Sequence, residues 1–254
     1  EPYRRQRQMC IRDRFESKLV VYAEGIYQGY KYYETRYEDV VLGRYGADDP
    51  VGSTDGEAWT YADEVIYPFG HGLSYSEFSE TLNGVTYDAE TKEYVASVTV
   101  KNEGGMPGKH VVHLYAQTPY GVYERDNLVE KSAVQLAGFA KTGEIDEGSS
   151  ETVEVRVDEY LLASYDHNAL KGYYLSGGDY YFAIGDNVHD ALNNVLAAKA
   201  AAGADVRVDA MTAPGNADDA VALTREEDKE TYLTSRQTGN RVTNLFDDAD
   251  INYW

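Results

Sequence analysis

The chain has few of the residues that form covalent or metal cross-links. Cys10 is the only cysteine among 254 residues, so an internal disulfide and a thiolate metal cluster are both excluded. No apolar run approaches the ~20 residues that a membrane-spanning helix needs. Residues 1–20 also lack the basic-then-apolar order of a secretory signal. We therefore expect no membrane partner, no metal and no cofactor, while the cellular compartment stays open.

Basic residues are scarce relative to acidic ones. The chain has 23 Lys and Arg against 44 Asp and Glu, which gives a net charge of −21. A surface of this sign repels phosphate backbones and anionic membranes, so we expect no nucleic-acid partner. A neutral substrate such as a sugar is compatible with this charge, although acidity also serves solubility alone.

Tyrosine is unusually abundant, with 24 residues against 6 Phe and 2 Trp. Its ring is apolar and its hydroxyl can stay in water, a combination that suits sheet surfaces, interfaces and stacking against sugars. We expect most of these tyrosines to cover β-sheet surfaces.

The first part of the chain falls into two segments. Residues 1–14 hold five arginines and two acidic residues, unlike the acidic remainder, and are interpreted as a non-native or disordered leader; the alternative is a genuine basic loop. Residues 15–78 predict a strand at 19–22, a short helix or turn at 26–34, a loop at 43–60 and a strand at 64–67. This stretch is too rich in loops to form a domain by itself.

Residues 79–187 show the alternation of apolar and polar side chains that is typical of half-buried strands. It runs through 95–101, 112–117 and 153–158, and a further apolar run covers 180–184. Glycine-containing turn clusters separate these runs. The pattern predicts a mainly β fold, an antiparallel β-sandwich.

Residues 188–254 predict a helix followed by an irregular acidic segment. The helix is expected over 186–203, with Asp186 or Asn187 as its N-cap and Gly203 at its end. Thr224 and Glu227 have the spacing of a capping box, which predicts a further short helix.

Five motifs in order resemble the glycoside hydrolases of family 3. The motifs are YAEGIYQGYKYY at 22–33, YPFGHGLSY at 67–75, VTVKN with VVHLY at 98–115, LAGF at 136–139 and LLASYD at 161–166. The resemblance implies the end of an α/β sandwich domain at 15–78 and a fibronectin type III-like domain at 79–187. Residues 239–250 (GNRVTNLFDDAD) and 189–194 (HDALNN) resemble the lead-in to the barrel domain in bacterial members with permuted domain order. Residues 188–254 would then be a helix and linker towards a missing barrel, in a chain cut at both ends.

The resemblance implies a retaining enzyme for β-linked gluco- or xylo-oligosaccharides, in which two carboxyl groups flank the scissile bond. The family's nucleophile is the Asp of a Ser-Asp-Trp motif, and this chain has no such motif. We therefore expect no catalytic, cofactor or metal residue here, and a piece that is inactive alone. The alternative is a non-catalytic β-sandwich that binds carbohydrate or serves adhesion.

Several residues invite a catalytic or metal role, and each has a structural explanation that we favour. Glu24 occupies a motif position that the resemblance makes structural. His71 beside Ser74 lacks a third group, and Lys109-His110 begins a sandwich strand instead of forming the family's barrel Lys-His pair. The acidic residues Asp247, Asp248 and Asp250 lack the spacing of a calcium loop. A substrate contact from the loop at 43–60 is left open.

Overall fold

The computed structural model describes residues 25–243. The helices are α1 (Tyr30–Val41), α2 (Tyr61–Glu64), α3 (Val122–Asp126) and α4 (Val188–Ala201). The strands are β1 (Phe78–Asp88), β2 (Glu93–Asn102), β3 (Val111–Gln117), β4 (Gln135–Lys141), β5 (Ser150–Asp158), β6 (Ser164–Asp166), β7 (Gly172–Tyr174), β8 (Gly178–Ala183) and β9 (Ala220–Arg225). The predicted strand at 19–22 and the leader at 1–14 lie outside the described residues.

Two antiparallel sheets form the sandwich. One sheet has the strand order β1-β2-β5, and the other has the order β4-β3-β8-β9. Strands β6 and β7 form a separate hairpin. This architecture confirms the predicted mainly β fold and its antiparallel sandwich.

The alternation seen in the sequence explains which side chains form the core. In β2, Tyr94, Ala96, Val98 and Val100 are buried, while the residues between them are only partly covered. Because successive side chains of a strand point to opposite faces, one face of β2 meets the other sheet and one faces outwards. The buried residues of both sheets form one apolar cluster between the layers.

A second apolar cluster lies on the outer face of the four-stranded sheet. Strand β3 contributes to both clusters, because Leu114 points between the sheets and Tyr115 points to the outer face. On that face, α1 and α4 pack with Trp59 and Tyr61 over the sheet. The helical segments therefore share a core with the sandwich.

Helix α4 has the boundaries that its sequence signals predict. The Asn187 side chain accepts hydrogen bonds from the backbone N–H of His189 and Asp190, which caps the first turn. Gly203 follows the last turn with a φ of 90°, a conformation that glycine adopts without strain.

Strand β9 lies beyond the boundary that the sequence analysis set for the sandwich. It pairs with β8 from Gly178↔Arg225 to Ala183↔Ala220, so α4 is an insertion between two adjacent strands of one sheet. The segment after residue 187 is therefore only partly irregular. The helix expected after Thr224 is wrong, because Thr224 belongs to β9.

The strand expected at 64–67 is also wrong. Glu64 ends α2, and residues 65–67 are neither helix nor strand. Thr60 caps α2, and its side chain accepts a hydrogen bond from the backbone N–H of Asp63. The predicted helix or turn near 26–34 corresponds to α1, which begins at Tyr30 and runs on to Val41. The loop at 43–60 is free of helix and strand, as expected.

The glycine-rich turn at 67–75 contacts the packed helices at its first end and the sandwich just past its last residue. Phe69 stacks on Tyr30 with ring centroids 4.6 Å apart, and its carbonyl accepts a hydrogen bond from the Val188 N–H at 2.9 Å. After the turn, Ser76 donates a hydrogen bond to the buried side chain of Asn102 at 2.8 Å. The predicted attachment of this turn to the β domain is therefore present.

The middle of the same turn differs from the expectation that its aromatic residues anchor it between two layers. Leu73 and Tyr75 are 96% and 98% exposed. Gly70 does have a steric role, because its φ is 91° and a Cβ there would lie 2.7 Å from the Tyr115 hydroxyl.

Candidate functional site: a tyrosine-lined cleft

Two of the sequence-derived candidate groups cannot be placed. Glu24 and the acidic residues Asp247, Asp248 and Asp250 lie outside the described residues. Within residues 25–243, no group of three or more His, Cys, Asp or Glu side chains has a geometry suited to a metal ion. No helix in that range is long and apolar enough to span a bilayer.

His71 and Ser74 do not form a nucleophilic pair. The His71 ring stacks on Tyr67 with centroids 5.0 Å apart, and the Ser74 hydroxyl accepts a hydrogen bond from the Ser76 N–H at 3.3 Å. Between residues 25 and 243, no hydrogen bond joins the two side chains. The turn thus lacks the base and the orienting acid that an activated serine needs.

Lys109-His110 leads into β3, as the sequence predicts. His110 Nε2 lies 2.6 Å from Glu80 Oε1, and its ring packs on Phe78. Burial raises the pKa of Glu80, and the contact with His110 opposes that rise. This pair joins β1 of one sheet to the start of β3 of the other, which is a structural role.

A second buried histidine lies beneath α1. His189 Nδ1 is 2.9 Å from Glu34 Oε2, and the Tyr61 hydroxyl donates to Glu34 Oε1 at 2.5 Å. The His189 ring stacks on Tyr61 at 3.7 Å, and its Nε2 contacts Thr212 Oγ1 at 2.6 Å. These four residues come from three helices and one loop, and their contacts join those elements.

A cleft that can hold a ligand lies between α1, the end of β3, β8 and α4. Its cavity volume is about 430 Å³, within the range of small-molecule sites. Four tyrosines from four separate segments line it: Tyr27, Tyr45, Tyr120 and Tyr181.

Helix α1 supplies the acidic side of this tyrosine-lined cleft. Glu34, Tyr37 and Val41 are spaced by three and four residues, so they share the buried face of the helix. That orientation leaves Glu38 and Asp39 on the flank that borders the cleft. Glu38 Oε1 accepts hydrogen bonds from Lys199 Nζ at 2.7 Å and from Gln117 Nε2 at 2.9 Å.

Asp39 differs from its neighbour because its carboxylate has no hydrogen-bond partner among residues 25–243. Burial raises the pKa of Asp39 to about 6; the Glu38 charge adds to the rise and Arg44 opposes it. Within residues 25–243, the fold therefore leaves this carboxylate without a partner on a wall of the cleft.

Beneath the cleft, Lys131 and Glu124 form a buried ion pair. Lys131 Nζ donates to Glu124 Oε1 at 3.2 Å and to the Pro119 carbonyl at 2.6 Å, and it also contacts the Ser176 hydroxyl. Burial opposes the ionisation of Glu124, but the hydrogen bond from Ser176 and the charge of Lys131 outweigh it and lower the pKa to about 2. Contacts within the protein therefore hold both the Lys131 ammonium and the Glu124 carboxylate in place.

Part of the chain that lines this cleft matches a known class of domain. Residues 110–188 match the fibronectin type III-like domain family. That range begins just before β3 and ends at the first residue of α4, so it covers most of the four-stranded sheet.

Curated relatives and solved structures similar to this chain are β-glucosidases. The chain is 34% identical over 191 residues to β-glucosidase A of Butyrivibrio fibrisolvens. The alignment covers 69% of this chain and 20% of the relative. A crystal structure of a β-glucosidase from Paenibacillus barengoltzii is 30% identical, with a TM-score of 0.50, over 66% of this chain and 16% of the other. The family 3 β-glucosidase of Bifidobacterium adolescentis shares the fold, with 20% identity and a TM-score of 0.50 over 86% of this chain and 23% of the other.

These matches confirm the resemblance that the sequence motifs indicate. The chain is related in sequence and fold to part of the family 3 β-glucosidases, and it spans about a fifth of the length of such relatives. None of the five sequence motifs marks the tyrosine-lined cleft as a site. Tyr120 and Tyr181 are far from Asp39 and Tyr45 in the chain, and only folding brings the two sets together.

Proposed function

We propose that this chain is part of a retaining glycoside hydrolase that acts on β-linked gluco- or xylo-oligosaccharides. The observation that carries the proposal is its relationship to family 3 β-glucosidases over about two thirds of its length. The role of this part is structural: the sandwich and its helices support a catalytic domain elsewhere in the protein.

The chain's own chemistry supports a non-catalytic role. It contains no Ser-Asp-Trp motif for the nucleophile. Among the described residues, Glu124 is held by a buried cation and Glu38 by Lys199, so neither is free to attack an anomeric carbon. The partners we propose are neutral oligosaccharides, and the net charge of −21 disfavours nucleic acid and anionic membranes.

The test is to express the complete gene product and this chain separately, and to assay both with aryl β-glucoside and aryl β-xyloside. We expect hydrolysis by the complete protein and none by the chain. If the complete protein hydrolyses neither substrate, the enzyme proposal fails and the non-catalytic β-sandwich module replaces it. If the chain alone hydrolyses either one, its structural role is refuted.

A further inference from the structure

We propose that the tyrosine-lined cleft is a saccharide-binding site in its own right, separate from the catalytic chemistry of the parent enzyme. The proposal concerns residues 25–243 only and does not require the parent to be a hydrolase. It rests on the geometry of the cleft walls, the strain at one wall residue and the balance of charges.

The first observation is the exposure of the aromatic wall. Tyr45 is 70% exposed and Tyr120 is 42% exposed, and both line the same cleft. The Tyr27 hydroxyl donates a hydrogen bond to the Lys131 carbonyl at 3.0 Å, which fixes the position of this lining tyrosine. Exposed aromatic faces beside polar groups suit the apolar C–H faces of a pyranose ring.

The second observation is the backbone of Tyr45. Its φ is 56°, in the left-handed region, and it lies in a turn whose other left-handed residues are Gly43 and Gly46. A side chain in this region strains the backbone, and such strain persists where surrounding structure enforces it, often at ligand sites. Glycine would suit position 45 better on local grounds, yet the sequence places a tyrosine ring over the cleft.

The third observation is the local charge. Asp39 offers a carboxylate with no partner among the described residues, and Arg44 lies beside it as a donor. Both signs of charge occur on the walls, and Lys199 is neutralised by Glu38 at 2.7 Å. Because opposite charges lie close together on these walls, neither sign of ligand charge is favoured, and neutral hydroxyl groups can donate to Asp39 and accept from Arg44.

The ligand class that satisfies all three observations is a neutral, short oligosaccharide. The cavity volume of about 430 Å³ is large enough for a small ligand and too small for a folded partner. The loop at 43–60, for which the sequence left a substrate contact open, supplies Tyr45 and thereby one wall of the cleft.

The experiment is an NMR titration of the ¹⁵N-labelled chain with cellotetraose and with xylotetraose. We expect saturable shifts of the backbone amides of Asp39, Tyr45 and Tyr120 with at least one of them. Tyr45→Gly and Tyr120→Ala should each weaken binding by roughly tenfold, the loss expected for one aromatic contact.

Two matched variants control for general damage to the fold. Leu128 is an exposed apolar residue with a φ of 54°, outside the cleft, so Leu128→Gly relieves the same backbone strain without touching the site. Tyr75→Ala removes an almost fully exposed tyrosine from the turn at 67–75. Both variants should bind as the unaltered chain does. Melting temperatures of all four variants report whether each remains folded.

The proposal is overturned if neither sugar gives saturable shifts, or if Tyr45→Gly stays folded and binds unchanged. These outcomes are distinguishable from a failure of the hydrolase proposal. If the complete protein hydrolyses aryl glycosides while this chain binds no sugar, only the cleft proposal fails. If this chain binds sugar and the complete protein is inactive, only the hydrolase proposal fails.

Discussion

Replacing Glu124 by Gln should destabilise the chain severely, although the two side chains have nearly the same shape. The Glu124 and Lys131 side chains are only 5% and 4% exposed. Removing one partner of a buried ion pair costs about 3–5 kcal/mol, because the other charge stays buried without compensation. Despite the burial of Glu124, Ser176 and Lys131 lower its pKa, whereas burial lowers the pKa of Lys131 despite the Glu124 charge, so the site stabilises the carboxylate more than the ammonium.

The reverse substitution should cost less, for a reason visible in the hydrogen bonds. Without Lys131, the Glu124 carboxylate still accepts from the Gly121 N–H at 2.7 Å, the Ser176 hydroxyl at 2.6 Å and the Tyr174 hydroxyl at 2.9 Å. Without Glu124, Lys131 keeps only neutral acceptors among the described residues. Lys131→Met should therefore destabilise the chain by at least about 1 kcal/mol less than Glu124→Gln.

Urea unfolding followed by far-UV circular dichroism measures both effects. Glu154→Gln on the exposed pair with Arg156 is the control, and we expect no resolvable change there. Because the folded-state pKa of Glu124 is depressed, its contribution is present above about pH 4.5 and is lost as the pH falls towards about 2. The reasoning is refuted if Glu124→Gln costs under about 1 kcal/mol at pH 7, or if it costs less than Lys131→Met.

Three further substitutions test other parts of the structure by the same unfolding assay. Leu114→Ala should cost about 2–5 kcal/mol of unfolding free energy because Leu114 is fully buried between the sheets. The control Leu73→Ala, at an exposed position, should change stability by under about 0.5 kcal/mol. Equal effects of the two substitutions would contradict the assigned core. Gly138→Val should cost at least about 1–3 kcal/mol because even a Cβ would lie 2.8 Å from Val155 of the facing sheet; a neutral result would contradict that sheet contact. Burial and the neighbouring Glu38 raise the pKa of Asp39 above its value in the unfolded chain, and Arg44 opposes this rise. The folded state therefore loses stability as the pH rises from about 4 to about 6 and Asp39 ionises. Asp39→Asn should accordingly stabilise the chain more at pH 7.5 than at pH 4.5, and a difference of the opposite sign would contradict the assigned burial.

The strands and the last helix could be predicted because their signals are local. In β2 the apolar residues alternate without interruption, and one face of the strand is buried as that pattern requires. Helix α4 has an Asn at its cap and a Gly just past its end, and both act in those positions. Each of these features depends on residues that lie close together in the sequence.

The errors arose where two local signals competed. The run at 64–67 has strand-like residues, but Thr60 and Asp63 have the spacing of a helix N-terminus, so Glu64 ends the short helix α2 and residues 65–67 are irregular. At Thr224 the reverse holds. A capping-box spacing is present, but Val221 and Leu223 pack against the sandwich core, and pairing with β8 outweighs it. The sequence motifs also gave no indication that β9 follows an inserted helix.

The tyrosine-lined cleft could not have been found from the sequence. Tyr45 follows α1, Tyr120 follows β3 and Tyr181 lies in β8, and no spacing along the chain connects them. The abundance of tyrosine indicated contact with sugars only as one use among several. The packing of α1 and α4 on the outer face of the four-stranded sheet places these rings around one cavity.

The most direct test of the hydrolase assignment is the stereochemistry of the sugar that the complete protein releases. A retaining enzyme forms and then hydrolyses a covalent glycosyl intermediate, so the first product keeps the configuration of the substrate. Proton NMR of the earliest glucose released from an aryl β-glucoside should show the β-anomer. Initial release of the α-anomer, or no release at all, would contradict the assignment.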